Sequence, residues 1–280
     1  MININTQEHV KKWRRIILVI PLMAFIVLPF LILVSSSFKT EGELNLLRPS
    51  IIPNKIVLSN FEKLLEDDNF LLSIRNSFLI AVLTMIFTLV VSTPAAYIIA
   101  RVKGRIASLT QIWIVVSKMI PIITLTVPLY LILKSLRLTD SFTGLTFVYI
   151  TWQIPITLWL LKGFMYSFPI ELEDAARIDG CSTLQMIIKI IFPNILPGIV
   201  TAGIFAFIGA WNEFFFNLIF MRSPENIMIS TKLWNFLGLA GQSRDGELAA
   251  ASLISCIPGI ILFSVFQRYY VSGLTKGAVK

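Results

Sequence analysis

The chain has 280 residues, of which 56% are hydrophobic and only 14% are charged, and its mean hydropathy is +0.79. Soluble domains carry about 25% charged residues, so this composition excludes an ordinary soluble domain and indicates a protein that crosses the membrane several times. The formal net charge of +8 is then explained largely by basic loops that orient the protein in the membrane, rather than by nucleic-acid binding.

The first predicted element is a membrane-spanning helix over residues 16–37, directly after the basic sequence KKWRR. This run has 22 residues, which is longer than the 7–15 apolar residues of a secretory signal. At 1.5 Å per residue it would extend about 33 Å, enough to cross a hydrocarbon core of about 30 Å. We expect an uncleaved first span preceded by a cytoplasmic arm, residues 1–15.

Five further apolar runs predict an all-α polytopic membrane protein with six spans and both termini on one side. The additional spans are residues 77–100, 110–133, 144–161, 195–220 and 248–266. They give a transmembrane domain over 16–266, followed by a tail, 267–280. Basic residues near the span ends place the N-terminal arm, the turn after the second span and the tail in the cytoplasm. These residues are Lys11, Lys12, Arg14, Arg15, Arg101, Lys103, Arg105, Arg268, Lys276 and Lys280.

Residue types that support catalysis or metal binding are scarce. His9 is the only histidine, which argues against a histidine-based metal or catalytic site, and the sequence has no G-x-x-x-x-G-K-[ST] motif. The chain itself is therefore expected to be no enzyme and to hold no cofactor or metal. Cys181 falls in a polar loop and Cys256 inside a span, so both thiols are expected to stay unpaired.

The longest predicted cytoplasmic loop, residues 162–194, contains the sequence ELEDAARIDG and reads as two short helices. Pro169 suits a first helical turn, and the acidic residues just after it favour the positive end of the helix dipole. Gly180 tolerates a left-handed conformation and so predicts the end of the first helix. Ser182 and Gln185 have the spacing of a capping box that begins the second. The apolar face of the second helix is predicted to comprise Leu184, Ile187, Ile188 and Ile191.

The residues of this loop leave two interpretations open. Charges on a short rigid helix, beside small alanine and glycine residues, would allow ion pairs and close approach by a partner protein. A solvated loop helix, or an amphipathic helix resting on lipid, would have the same pattern.

Several segments resemble one family of membrane proteins. The loop EDAARIDGCSTLQMIIKIIFPNILPGI resembles the EAA loop of ABC importer permeases, whose pattern is E-A-A, three residues, then G, with a proline after the second helix. Gly180 also lies 100 residues from the C-terminus, as that loop does in the family. The chain is similar to MalG-like subunits of carbohydrate importers in NSFLIAVLTMIFTLVVSTPAAYIIARVKGR, in AWNEFFFNLIF and in the tail QRYYVSGLTKGAVK. The resemblance covers nearly the whole sequence.

The resemblance implies the type I importer permease fold and one half of a pathway for a sugar, oligosaccharide or related polyol. It further implies a bacterial cytoplasmic membrane, a second permease subunit, an outer substrate-binding protein, and two ATPase subunits that bind ATP and Mg. The loop would dock on an ATPase subunit. The residues carried over to this contact are Glu173, Asp174, Ala175, Ala176, Arg177, Asp179 and Gly180.

Two parts of the sequence need separate comment: the acidic pair of the loop and the C-terminal tail. Asp174 stands where the family has the glutamate of E-A-A, so its reach is one methylene shorter, and the preceding Glu173 is a second candidate for the main ion pair. In the tail, MalG-like subunits reach the ATPase dimer, which implies contacts by Gly273, Lys276 and Gly277; from the residues alone, a frayed terminus is the plainer interpretation.

Ionisable residues inside spans mark the candidate substrate pathway. Lys118 in the third span and Glu213 in the fifth should face the protein interior or a cavity, and their depths match poorly for an ion pair. Packing or structural polar contacts are the alternative to a transport role. The pathway candidates are Lys118, Trp211, Asn212, Glu213 and Asn217, with bends expected at Pro121, Pro128 and Pro155.

Other functions remain as alternatives. A secondary, ion-coupled transporter would need intramembrane carboxylates, of which Glu213 is the only one predicted, and no inverted repeat is visible. An ABC permease for a non-sugar solute would have the same architecture. The outer loop 223–247, with Arg222, Lys232 and Arg244 available, is a candidate docking surface for the binding protein.

Overall fold

A computed structural model describes residues 4–48, 50–102, 104–238 and 244–278, without the side chains of 4–18, 106 and 268–278. Within these ranges all regular structure is helical, which confirms the all-α expectation. The α-helices are α1 (Ile4–Ser37), α2 (Glu41–Leu44), α3 (Ser59–Glu66), α4 (Asp68–Arg101), α5 (Arg105–Met119), α6 (Ile122–Ser135), α7 (Phe142–Ser167), α8 (Ile170–Ile178), α9 (Thr183–Met186), α10 (Phe192–Asn194), α11 (Leu196–Trp211), α12 (Phe215–Phe220), α13 (Ile229–Phe236) and α14 (Asp245–Ala278). A π-helix, Ile187–Ile191, and a 3₁₀-helix, Pro224–Asn226, complete the set.

The described helices include four that are long and apolar enough to cross a membrane, or up to six if each of two bent pairs counts as one span. α5 and α6 meet at 94°, and residues 183–194 meet 196–211 at 79°. Of the three prolines expected to mark bends, Pro121 lies at a break, whereas Pro128 and Pro155 lie inside α6 and α7. Ile120 before Pro121 is extended because a residue that precedes proline is pushed away from the helical region.

The chain divides into two compact units, residues 1–67 with 233–256 and residues 68–232 with 257–280. In the first, the buried Asn60 amide donates to the carbonyl oxygen of Ser37 at 2.9 Å. Glu247, at the start of α14, accepts from Lys63 at 3.3 Å and from Arg244 at 3.1 Å. These polar contacts tie α3 to the end of α1 and to the start of α14.

The core of the second unit is formed by α4, α7 and α11, which pack against one another. Glycines permit the closest approaches: a Cβ on Gly198 would lie 2.3 Å from the ring of Phe164, and one on Gly209 would lie 2.0 Å from the side-chain amide of Gln153. Membrane helices often use small residues this way because they cannot rely on the hydrophobic effect to associate in lipid.

Asp140 organises the turn between α6 and α7. Its carboxylate accepts from the backbone N–H groups of Arg222 at 3.0 Å and Ser223 at 3.3 Å, and from the Ser223 hydroxyl. Burial alone would raise the pKa of Asp140, but these hydrogen bonds outweigh it and hold the pKa below the ordinary value of 3.8. In its ionised form, the Asp140 side chain therefore links the α6–α7 turn to the loop that follows α12.

Asp140→Ala should lower the free energy of unfolding by about 1–2 kcal/mol at pH 7, because four donors, the three above and the Asn226 side-chain amide at 3.4 Å, lose a charged acceptor that is partly exposed to solvent. Residue 140 also has φ +53°, a conformation that aspartate tolerates better than alanine does. A carboxylate with a lowered pKa stabilises the protein above its unfolded-state pKa, and this contribution is lost as the pH falls through the folded-state value. The difference from wild type in detergent should thus persist down to about pH 4. Thr139→Ala is the control, and an equal loss there would contradict the assignment.

Candidate functional site

In residues 170–194, which we call the α8–α9 segment, the end of α8 and the start of α9 are set by local sequence signals. α8 ends in a Schellman motif, in which Gly180 N–H donates to Arg177 at 3.1 Å and Cys181 N–H donates to Ala176 at 3.0 Å. Gly180 has φ +81°, the left-handed conformation expected of it. Ser182 and Gln185 form the expected capping box at the start of α9. The predicted turn and both helix boundaries around it are confirmed.

The prediction of the apolar face of the second helix is wrong in part. Leu184 and Ile188 were expected on the buried face but are 66% and 58% exposed, whereas Met186 and Ile191 are fully buried. α9 continues into the π-helix Ile187–Ile191, whose hydrogen bonds join residues five apart. The wider turn brings Met186 and Ile191, five residues apart, onto one face and rotates Leu184 and Ile188 away from it.

The buried face of α8 consists of Glu173 and Ala176, which are three residues apart and therefore lie on one side of the helix. Ala176 is 3% exposed and belongs to an apolar cluster contributed by α4, α7, the α8–α9 segment and α11. Besides Ala176, the cluster contains Ala96, Tyr97, Ala100, Leu161, Met165, Phe168, Met186, Ile191, Ile195, Ile199 and Ala202. Ala176 is thus a packing residue, and its methyl group is inaccessible to a partner protein.

Glu173 is held by Arg101 and Tyr97, both on the last turns of α4. Its Oε1 accepts from Arg101 Nε at 2.7 Å and also from Arg101 Nη2, and its Oε2 accepts from the Tyr97 hydroxyl at 3.1 Å. Arg101 additionally donates to the carbonyl oxygens of Met165 at 3.2 Å and Phe168 at 3.3 Å. We call this arrangement of Arg101, Glu173 and Tyr97 the Arg101–Glu173 clamp.

The clamp changes the roles expected of two residues. The sequence assigned Glu173 to a partner contact, but its side chain is 2% exposed and both oxygens are occupied inside the chain. Arg101 was assigned only to membrane orientation, yet it joins the ends of α4 and α7 to α8. No local sequence signal marked this pair, because the two residues are 72 positions apart.

The exposed face of α8 carries the other residues expected to bind a partner: Asp174, Ala175, Arg177, Asp179 and Gly180. Asp174 and Arg177 form a solvent-exposed ion pair at 3.6 Å, and the Arg177 side chain also interacts with the Tyr97 hydroxyl at the inner edge of this face. Ile178, 86% exposed at the tip, extends this surface and was missed. An apolar residue outside the buried stripe of a polar helix was the signal for it.

Lys118, Asn212 and Glu213 line one cavity of about 450 Å³ at the break between α5 and α6, together with Pro121 and Trp152. Lys118 Nζ donates to the carbonyl oxygen of Trp152 and lies 4.0 Å from the centre of its ring. Lys118 is therefore engaged by Trp152, in agreement with the poor match expected between Lys118 and Glu213.

Glu213 stabilises the N-terminus of α12. Its carboxylate oxygens accept from the backbone N–H groups of Phe216 at 3.0 Å and Asn217 at 3.2 Å. The other two pathway candidates are packed in the interior: Trp211 stacks on Phe207 with ring centres 5.9 Å apart, and the buried Asn217 amide donates to Thr231 at 2.5 Å. These two residues do not line the cavity.

A second cavity, of about 810 Å³, lies nearer the α8–α9 segment. It is lined by α5, the C-terminal half of α7, α8 and the start of α11, and includes Gln111, Trp159, Lys162, Leu172 and Pro197. Both cavities thus border α5 and α7, the first at the C-terminal end of α11 and the second at its N-terminal end.

The remaining candidates lie at the periphery. Gly273, Lys276 and Gly277 fall in the C-terminal part of α14, where the structure gives the backbone but not the side chains. In the outer loop, Arg222 donates to the Tyr130 hydroxyl at 2.8 Å, and Arg244 pairs with Glu247. Residues 239–243 of that loop lie outside the described ranges.

An all-α fold over the described residues, with broken membrane helices, open cavities beside the breaks and an amphipathic segment fixed to the helix ends, has the architecture of a membrane transport permease. The chain belongs to the family of binding-protein-dependent transport system inner membrane components, whose model matches residues 92–276. The family comprises the membrane components of ABC transporters, and the expected MalG-like relationship is confirmed.

Relatives align over most of their length. The chain is 34% identical to the trehalose/maltose transport system permease protein MalG of Thermococcus litoralis, over 95% of this chain and 97% of the relative. It is 32% identical to the diacetylchitobiose uptake system permease protein DasC of Streptomyces coelicolor, over 91% and 92%. The fold is similar to that of a bacterial ABC transporter that imports alginate, with a TM-score of 0.80 at 21% identity over 94% of this chain and 98% of that one.

Proposed function

We propose that the chain is one of two permease subunits of an ATP-driven importer for a sugar, an oligosaccharide or a related polyol. This substrate class is supported by membership of the family and by relatives that are named as carbohydrate permeases. The observation that carries the coupling role is the exposed face of α8, which presents charges, small residues and Ile178 on a helix fixed to the membrane core. A lipid-resting helix would be expected to bury an apolar stripe in the bilayer rather than expose Asp174, Arg177 and Asp179.

In the proposed mechanism, an ATPase subunit docks on the exposed face of α8 and moves it when ATP binds. Ala175 and Gly180 let the ATPase approach closely, and Asp174, Arg177 and Asp179 exchange their exposed contacts for contacts across the interface. The ATPase shifts the permease between inward-facing and outward-facing states only because it binds the two states with different affinity. ATP and Mg are held by the two ATPase subunits.

The proposed topology counts α5 with α6 as one span and α11 with α12 as another, and together with α1, α4, α7 and α14 this gives six spans with both termini in the cytoplasm. The basic residues near the span ends support this orientation in a bacterial cytoplasmic membrane. A second permease subunit completes the pathway, and an outer binding protein delivers the substrate to a surface that includes loop 223–247. A second structure of similar fold, with a TM-score of 0.66 at 18% identity, is a bacterial alginate ABC transporter in complex with an alginate pentasaccharide-bound periplasmic protein.

The cavity at Lys118 is the proposed part of the translocation pathway in this chain. Irregular backbone is tolerated at membrane depth only where it is buried in protein or lines a water-filled cavity. The break at Pro121 and the break between α11 and α12 both border this cavity. Lys118, Asn212 and Glu213 lie along the pathway, and Trp211 and Asn217 support its wall from the packed interior.

The test is reconstitution of the chain with the candidate permease, ATPase and binding-protein subunits encoded beside it, followed by sugar uptake into liposomes. We expect the ATPase to co-purify with the chain, and uptake to require ATP and to continue when ionophores dissipate ion gradients. Uptake that needs an ion gradient and no ATP would overturn the proposal in favour of a secondary transporter. ATP-driven uptake restricted to non-sugar solutes would overturn the substrate class alone.

Deletion of residues 272–280 should lower ATP hydrolysis and uptake about fivefold if the tail contacts the ATPase, a loss typical of one site in a coupled interface. The apolar part of α14 that is long enough to cross the membrane ends at Gln267, before the deleted segment, so accumulation of the protein should be unchanged. Exchange of the same residues for a Gly/Ser sequence of equal length separates the contact from chain length. Full activity in both variants would contradict the tail contact.

A further inference from the structure

We propose that the Arg101–Glu173 clamp is the joint through which motion of α8 reaches the membrane helices, and that Glu173 itself does not bind the ATPase. This inference rests on the proposed function, because it assigns to two positioning residues the transfer of the ATPase's movement. It divides the acidic pair of the loop into an inward-facing residue, Glu173, and an outward-facing residue, Asp174.

The inward role of Glu173 follows from its surroundings. Its side chain is 2% exposed, and its two oxygens together accept hydrogen bonds from Arg101 Nε, Arg101 Nη2 and the Tyr97 hydroxyl. A partner could reach this carboxylate only after α8 had left the core. Asp174, one residue further, is 60% exposed, because consecutive helical residues point about 100° apart.

The role of Arg101 follows from the three elements that its guanidinium joins. It is the last residue of α4, and it donates to two carbonyl oxygens at the end of α7: that of Phe168 and that of Met165, which also accepts from the backbone N–H of Phe168 at 3.3 Å. The same planar group pairs with Glu173 on α8. Only arginine offers donors in this fixed, forked geometry, so a lysine could keep the charge but not all three connections.

The chain connectivity shows why such a joint is needed. α8 is linked covalently to α7 through Phe168 and Pro169, both extended, so α8 is not a straight continuation of α7. α4 has no such link, because Arg101 and Glu173 are 72 residues apart in sequence. Packing of Ala176 holds α8 against the core, but apolar packing permits sliding, whereas the clamp fixes direction through oriented hydrogen bonds.

The experiment compares Arg101→Met, Glu173→Gln and the double variant in the reconstituted transporter, with Arg101→Lys as the conservative substitution. Three quantities are measured: ATPase bound per permease, ATP hydrolysed, and substrate taken up per ATP. Arg105→Met is the matched control, since it removes an exposed arginine from the same turn. Asp174→Asn is the comparison for a docking residue.

We expect the ATPase to remain bound in all clamp variants while uptake per ATP falls about tenfold, in the range of typical coupling between two sites. The double variant should be no worse than either single variant, and Arg105→Met should match wild type. Asp174→Asn should instead weaken binding of the ATPase. Reduced ATPase binding in Glu173→Gln, or unchanged uptake per ATP in both single variants, would overturn the proposal.

A second measurement tests the joint without any partner. Trypsin can cleave after Arg177, which is exposed on α8, and cleavage requires the helix to open locally. In the purified chain, Arg101→Lys and Glu173→Gln should accelerate this cleavage about tenfold, with Arg105→Met unchanged. Equal cleavage rates in all variants would contradict the proposal that the clamp is a joint, whether or not the chain has an ATPase partner. The conservative Arg101→Lys keeps the test valid if Arg101→Met fails to accumulate.

Discussion

Ala176→Glu should prevent the protein from accumulating in the membrane. Ala175→Glu, at the neighbouring position, should leave accumulation normal and abolish binding of the ATPase. Ala176 is 3% exposed within an apolar cluster, so the new carboxylate would be buried without a partner. An uncompensated buried charge costs about 3–5 kcal/mol, a large part of the stability of a typical domain. Ala175 faces outward, where the same side chain adds bulk and charge to the proposed interface only.

The two variants are compared by the amount of protein in the membrane, its elution profile in detergent and the ATPase that co-purifies. Ala176→Ser and Ala175→Ser are the matched controls, because each adds a single small atom without a charge. If both glutamate variants accumulated and both lost the ATPase, Ala176 would be a docking residue and its buried placement would be wrong. If both retained the ATPase and full uptake, the outward face of α8 would not be the docking surface.

Gly180→Val should abolish uptake. Gly180→Asn should separate two causes of that loss: distortion of the turn that ends α8, and added bulk where the ATPase approaches closely. Gly180 has φ +81° and open space where a Cβ would lie. A left-handed residue with a β-branched side chain costs at least about 1–2 kcal/mol in backbone strain, so valine should distort the Schellman motif that ends α8. Asparagine adopts this conformation readily and so should keep the turn while adding bulk at the surface.

We therefore expect Gly180→Asn to accumulate like wild type, to bind the ATPase more weakly and to lose uptake about tenfold, a typical effect of bulk inserted into a close contact. Gly104→Ala is the control for backbone strain away from α8, since Gly104 lies in the turn before α5 with open space around it and has φ +82° and ψ −153°, a conformation that is essentially restricted to glycine. ATPase binding and uptake are measured in parallel. Wild-type uptake in Gly180→Asn, with loss only in Gly180→Val, would show that the turn matters and that close approach at Gly180 does not.

Local features of the α8–α9 segment were predictable because they depend on residues only a few positions apart. Gly180 ends α8 and Ser182 with Gln185 begins α9, since the hydrogen bonds involved join neighbours in the chain. The π-helix that follows was not predictable from apolar spacing, because an α-helical period places Leu184 and Ile188 inside. Packing of Met186 and Ile191 against the core selects the wider turn instead.

The sequence by itself determined the membrane character, the helical fold class and the polar segment between two apolar stretches, because hydropathy and helix-end signals act over short distances. Only the tertiary structure decided which of two adjacent acidic residues and which of two adjacent alanines face inward. A rotation of about 100° separates neighbours on a helix, and this rotation is set by what the helix packs against. Arg101 supplies the partner for Glu173 from 72 residues away, a distance over which charge pairing leaves no local pattern.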